Sequence, residues 1–182
     1  MRSSSTPRRL DVAAFARVGE HLQGHDLLQN YERVAKDLRA PPADLMLDWQ
    51  ATGERRSAVD GSVRPALHLQ VHAVLPLTCQ RCMGEVMTAV VVDRHFVFVP
   101  DEETAAHLDD ESDDDVLVLA PDFNLHQLIE DEVLMALPLV PRHEECPETV
   151  RLSARSADID VDGGENPHPF AALAALKTPK ND

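Results

Sequence analysis

The stretch RPALHLQVHAVLPLTC, residues 64–79, decides the fold. Leu67, Leu69, Val71, Ala73 and Leu75 alternate with His68, Gln70 and His72, the two-residue period of a strand with one face on a core and the other toward water. Downstream, VMTAVVVDRHFVFVP, residues 86–100, reads as a partner strand, and the intervening CQRCMGE makes a hairpin tip. Upstream, ADLMLDWQATG, residues 43–53, sets Leu45, Leu47 and Trp49 against Met46, Asp48 and Gln50, which predicts a third strand. A polar turn ending at Asp60-Gly61 joins it to the quoted stretch.

Helices are predicted on either side. LDVAAFARVGEHL, residues 10–22, suits a short helix capped by Asp11 and stopped by Gly24. In HDLLQNYERVAKDL, residues 25–38, Leu27, Leu28, Tyr31, Val34, Ala35 and Leu38 recur at helical spacing, with Asp26 as a cap and Pro41-Pro42 as the stop. VLVLAP, 116–121, reads as a short buried strand. A helix follows over 124–137, where Asn124 and Gln127 resemble a capping box. This order predicts the α+β class: an antiparallel β-sheet or partly closed barrel, N-terminal helices, and one helix after an acidic loop. The expected layout is a disordered 1–9, a single domain over 10–146 with its acidic loop at 101–115, a flexible linker over 147–166, and an apolar C-terminal tail over 167–182. In that tail Phe170, Leu173, Ala174 and Leu176 fall on one helical stripe. It either packs back on the domain or docks on a partner.

Charge narrows the function classes. The 182 residues carry 32 acids against 17 Lys and Arg, a formal net charge of −15. That weighs against nucleic-acid binding driven by counterion release, which needs basic residues. Arg55, Arg56, Arg64 and Arg81 are the candidates for a basic face. DEETAAHLDDESDDD, residues 101–115, holds nine of the acids and no Lys or Arg. It reads as a solvated loop or as a contact for a basic protein. No stretch approaches the roughly 20 apolar residues that cross a bilayer, and the basic start MRSSSTPRRL has no apolar segment after it. A cytoplasmic protein without membrane contact is expected.

Cys79 and Cys82 form a C-x2-C at the hairpin tip. A thioredoxin-like couple needs a helix N-terminus and a βαβ setting, so redox catalysis is disfavoured. A structural zinc needs four N or S ligands. Cys79 and Cys82 with His143 and Cys146, an H-x2-C 61 residues further on, would supply them. The alternative is that the pair is a turn without metal and Cys146 a lone thiol. His68 and His72 share a strand face and are read as its solvated side. Glu130, Asp131 and Glu132 diverge by about 100° per residue on a helix, so they do not converge on a substrate, and at least two are read as solvated. No nucleophile elbow, phosphate loop, dinucleotide fingerprint or H-E-x-x-H occurs. No enzyme and no small-molecule substrate are expected, and structural zinc is the one cofactor candidate.

LTCQRC (77–82), FVFVPDEE (96–103), LIEDEVLMALPLVPRHEEC (128–146) and the tail NPHPFAALAALK (166–177) together resemble the large ribosomal RNA subunit accumulation protein family, YceD-like, in its proteobacterial branch. The resemblance runs from about residue 10 to 177, and 128–143 is its most specific part. It implies a cytosolic, non-enzymatic factor supporting synthesis, processing or stability of 23S rRNA and large-subunit assembly. With the acidic charge, it implies a basic ribosomal protein or rRNA-processing factor as partner, met by the 101–115 loop and the Glu130–Glu132 turn. A zinc-stabilised module binding rRNA directly is the alternative. Many relatives carry further C-x2-C units at the C-terminal end, whereas this chain keeps Cys146, a departure that weighs against zinc here.

Overall fold

The computed structural model describes residues 6–39, 44–57, 61–109 and 114–147, all within one compact unit, Met1–Thr149. The elements are α1 (Val12–Val18), β1 (His21–Leu27), a 3-10 turn (Leu28–Asn30), α2 (Glu32–Asp37), β2 (Met46–Ser57), β3 (Val63–Thr78), β4 (Glu85–Val99), α3 (Glu102–Asp109), β5 (Asp115–Val118) and α4 (Leu125–Met135). The strands form one open sheet in the order β1-β2-β3-β4-β5. This is the predicted α+β class. All but the first residue of the linker expected over 147–166, and the whole tail over 167–182, lie outside the described residues.

The alternation places the core as predicted. Leu67, Leu69, Val71, Ala73 and Leu75 of β3 are buried with Leu47, Trp49 and Ala51 of β2 and Val90, Val92, Phe96 and Phe98 of β4. Val12 and Phe15 of α1, Tyr31 and Val34 around α2, and Leu125, Ile129 and Val133 of α4 close over this face in the same cluster. Asp11 caps α1 by accepting from the Ala14 N–H, and Asn124 caps α4 by accepting from the Gln127 N–H at 3.1 Å, each satisfying an orphan donor of a first turn.

Four expectations are corrected. The segment read as the end of one helix and the start of another contains β1, which pairs antiparallel with β2 from His21↔Thr52 to Leu27↔Met46. Gly24 does not stop a helix; it lies under the Trp49 ring, where a Cβ would stand 2.7 Å from the indole nitrogen. Helix α1 ends instead at Gly19, whose φ of +64° suits glycine. Asp26 is no helix cap. It lies in β1 with its carboxylate buried, accepting from Thr6, from the Tyr31 hydroxyl at 2.8 Å and from Trp49 Nε1 at 3.1 Å. The N-terminal stretch expected to be disordered thus enters the described structure at a buried Thr6. Second, most of the acidic run is not a loop: residues 102–109 form α3, started by Asp101 accepting from the Thr104 N–H at 2.8 Å. Third, β5 pairs with β4 in parallel, from Phe96↔Asp115 to Val99↔Val118, because α3 carries the chain back before the strand begins.

The fourth correction concerns α4. Glu130 and Glu132 are buried rather than solvated. Glu130 accepts from the Arg33 N–H at 2.7 Å and Arg33 Nε at 2.9 Å, while Arg33 Nη1 reaches Asp131 at 2.6 Å. Burial pushes the Glu130 carboxyl up, but the two bonds from Arg33 outweigh it and hold it below the usual range. Glu132 has no such partner among the described residues. Burial raises its pKa, the Arg94 charge opposes, and Asp115 and Asp131 add to the rise. A carboxyl that holds its proton more tightly folded than unfolded contributes stability below its unfolded pKa and loses it as pH rises through the folded value. Glu132→Gln is therefore expected to match wild type in thermal melts near pH 4 and to melt higher than wild type at pH 7. A lower melt at pH 7 would contradict this.

Candidate metal centre

The core register of β3 carries on to Cys79, which is fully buried just past the strand end. The tip then turns tightly. Met83 donates its N–H to the Cys79 carbonyl at 2.9 Å, and Cys79 donates to the Gly84 carbonyl at 2.8 Å. Met83 takes a φ of +59°, the left-handed region seldom used by a side-chain-bearing residue. This geometry swings Cys82 back beside Cys79.

The other half comes from the far side of α4. Pro138 and Pro141 bar the helix from continuing, and the chain returns to the hairpin, where Gln80 donates its N–H to the Pro141 carbonyl at 2.8 Å. That contact delivers His143 and Cys146. Cys79 Sγ lies 4.0 Å from Cys146 Sγ, and Cys82 Sγ 3.5 Å from His143 Nδ1. The ligand atoms of all four residues lie within 4.8 Å of one another. The structure thus brings together the two pairs that the sequence leaves 61 residues apart.

The arrangement fits a tetrahedral ion. Zinc bonds of about 2.3 Å to sulfur and 2.0–2.1 Å to nitrogen place ligand atoms roughly 3.5–3.9 Å apart. His143 donates from Nε2 to the Glu85 carbonyl at 2.8 Å. That bond fixes the tautomer and leaves Nδ1 as an electron-pair donor facing Cys82, the outer-shell arrangement found behind ligating histidines. For Cys79, burial pushes the thiol up, but N–H groups of Cys82, His143 and Arg81 aimed at the sulfur prevail and bring it down to about 5. The Cys146 thiol is pushed up to about 11 by burial and by its two neighbouring sulfurs, the effect of crowding sulfurs without a countercharge. Three cysteines and one histidine fill a tetrahedron and leave no position for a substrate, which makes this a structural rather than a catalytic donor set.

A second cluster escaped the sequence reading. Glu54, His68 and His95 also bring their ligand atoms within 4.8 Å. His68 and His95 are direct partners across β3 and β4 and stack at 4.0 Å. His68 also bonds Asp93 at 2.5 Å, so it is not the free solvated residue expected, whereas His72 is exposed. Arg56 stands in this cluster, 2.7 Å from His95 Nδ1 and 3.3 Å from Glu54. A guanidinium already supplies the positive charge there.

The four candidate basic residues do not gather. Arg56 faces Arg64 across β2 and β3 and also pairs with Asp114 at 3.4 Å. Neighbouring Arg55 points to the opposite face. Arg81 sits at the other end of the long hairpin, in the Cys79–Gly84 turn. Of the acids, Asp101, Glu102 and Glu103 are exposed at the start of α3, while Asp115 is held by Arg94 at 2.5–2.9 Å. The Glu130–Glu132 turn is occupied internally and offers a partner little beyond Asp131.

No described helix is long and apolar enough to cross a membrane. No solved structure matches the chain. Residues 67–177 match the family model described as large ribosomal RNA subunit accumulation protein YceD. The matched span begins within β3 and contains all four residues of the centre.

Proposed function

We propose that this chain, which belongs to the large ribosomal RNA subunit accumulation protein (YceD) family, is a non-enzymatic factor that supports 23S rRNA synthesis, processing or stability in the cytoplasm by holding a basic protein of the large-subunit pathway. Membership ties the chain to accumulation of large-subunit RNA. The observation that carries the protein-partner reading is the fate of the charges. Arg9, Arg33, Arg56 and Arg94 are spent on carboxylates of the same chain, while Asp101, Glu102 and Glu103 stand exposed together at the start of α3. Such a surface attracts cations and repels phosphate. The dispersed arginines disfavour the alternative of a module that grips rRNA directly.

In the same reading Cys79, Cys82, His143 and Cys146 hold a structural zinc. Bound there, the ion supplies a cross-link between the hairpin tip and the segment after α4. The chain's own residues supply its orientation, through the Glu85 carbonyl and the N–H groups around Cys79.

Two measurements test the reading. Depleting the protein from cells should lower the ratio of 23S to 16S rRNA; an unchanged ratio with impaired growth would count against it. The triple variant Asp101→Asn, Glu102→Gln, Glu103→Gln should capture basic large-subunit proteins several-fold less well than wild type in low salt. The difference should vanish near 1 M salt, where the screening length is about 3 Å. Equal capture in low salt would remove α3 from the account.

A further inference from the structure

Asp26 is 8% exposed, yet its carboxylate is only half used. The Thr6 hydroxyl, the Tyr31 hydroxyl and Trp49 Nε1 all converge on one oxygen, Oδ2. Oδ1 takes none of them, and among the described residues no Lys or Arg pairs with this carboxylate. A buried carboxylate is normally matched by a cation. Thr6 and Arg8 before α1, Asn30 of the 3-10 turn and His126 of α4 wall a cleft of about 540 Å³, a size usual for ligand sites, and Asp26 lines it. Because Oδ2 is filled from the core side, Oδ1 is the oxygen left to the cleft.

A second group in that wall is also unmatched. His126 Nε2 is buried without a hydrogen-bond partner, and the ring is held flat on Tyr31 at 4.4 Å. Burial and the Arg8 charge lower its pKa, so the ring is neutral at pH 7, and the Asn30 carbonyl favours the proton of the other nitrogen. Nε2 is thereby left with a lone pair. A buried acceptor without a donor calls for an explanation. Glu32, exposed and without an ion-pair partner among the described residues, adds a second carboxylate to the cleft.

We infer that this cleft takes the cationic head of a Lys or Arg side chain of the basic protein partner, which deepens the reading above and rests on it. The head donates N–H groups to Asp26 Oδ1 and His126 Nε2, and Glu32 attracts it from the rim. Charge-assisted bonds of this kind are about twice as strong as neutral ones. Arg8, exposed, is the one cation in the wall, and two carboxylates outweigh it. The cleft borders β1, one edge of the sheet, while α3 lies against β5, the other edge. Four strand spacings of about 4.8 Å separate those edges by roughly 20 Å, so one basic protein spans both.

The single tryptophan supplies the readout, since its indole N–H lies 3.1 Å from Oδ2 of the same carboxylate. Titrating N-acetyl-lysine amide or N-acetyl-arginine amide into the full chain should shift the indole N–H signal in NMR spectra saturably at millimolar concentrations. The uncharged N-acetyl-norleucine amide should leave it in place. His126→Phe keeps the ring stack, removes the acceptor and should weaken binding about tenfold, the loss of one hydrogen bond to a charge. Glu32→Gln, at an exposed position, should weaken it about twofold with an unchanged melt. Arg8→Gln should tighten it, because a like charge leaves the rim. The triple variant of Asp101, Glu102 and Glu103 should bind both probes as wild type does, so failure of the cleft is distinct from failure of the α3 reading. No saturable shift with either cation overturns the inference, and so does weakening by Arg8→Gln, the mark of an anion site. Unchanged capture of basic proteins by the His126→Phe chain would also overturn it, by removing the partner from the cleft.

Discussion

Asp26→Ala is expected to destabilise the domain by about 3–5 kcal/mol, the range for breaking a buried, charge-assisted network. The carboxylate of Asp26 is the common acceptor for Thr6, Tyr31 and Trp49. Without it, Thr6 and Tyr31 can still bond each other across 3.1 Å, but the Trp49 N–H is stranded under a fully packed core. Tyr31 leaves no escape by ionisation. Burial pushes its hydroxyl well above the ordinary phenol range, the bond with Thr6 opposes, and Asp26 adds to the rise. For a domain of about 140 residues this corresponds to a fall in Tm of roughly 10–15 °C. Trp49 is the chain's one tryptophan, so urea unfolding followed by its fluorescence reads the event at the site itself. Asp26→Asn, which keeps the shape and one acceptor, should lose markedly less. Equal losses for the two variants would mean that volume, not the acceptor, is what matters.

The second large effect concerns the metal. Protein purified without an affinity tag is expected to carry about one zinc per chain, and Cys82→Ser none, because three remaining ligands do not close a tetrahedron. Zinc-finger peptides owe about 10–16 kcal/mol of apparent binding free energy to such sites. Here the sheet has its own core, so the loss should stay local. Hydrogen exchange should quicken at Gln80, whose N–H is tied to Pro141, and at Cys79 and Met83, while the β2–β3 ladder stays protected. Protein without zinc that shows the same protection as wild type would mean that packing alone holds the tip.

The central hairpin was legible because its alternation is clean over β3 and β4, and nothing else fits that period. Strand β1 was not. In HLQGHDL the inward positions are the half-buried Leu22 and Gly24 and the buried Asp26, a set that does not signal a strand against a core. Its glycine is explained only by a tryptophan 25 residues away in sequence. Helix α3 was hidden by its own acids, since among its described side chains Ala105 is the buried one. The parallel pairing of β5 depends on that helix and went unseen with it. At the candidate site, C-x2-C spacing announced one pair of ligands. That His143 and Cys146 meet them follows from Pro138 and Pro141 turning the chain back, which spacing does not encode. The Glu54–His68–His95 cluster arises from cross-strand register, and the Asp26 network joins Thr6, Tyr31 and Trp49 from three separate segments, so both needed the fold.

One property of the hairpin bears on how many bodies the protein can touch at once. Strands β3 and β4 pair continuously over 13 residue pairs, from Ala66↔Val97 to Thr78↔Glu85, a ladder of about 40 Å. The cysteine tip lies at one end and α3 at the other. Ligands at the two ends cannot compete for space, and a hydrogen-bonded ladder of that length does not fold them together. In the proposed reading, a basic protein held at α3 stands about 40 Å from the cysteine tip, at a separation set by counting residues along one strand.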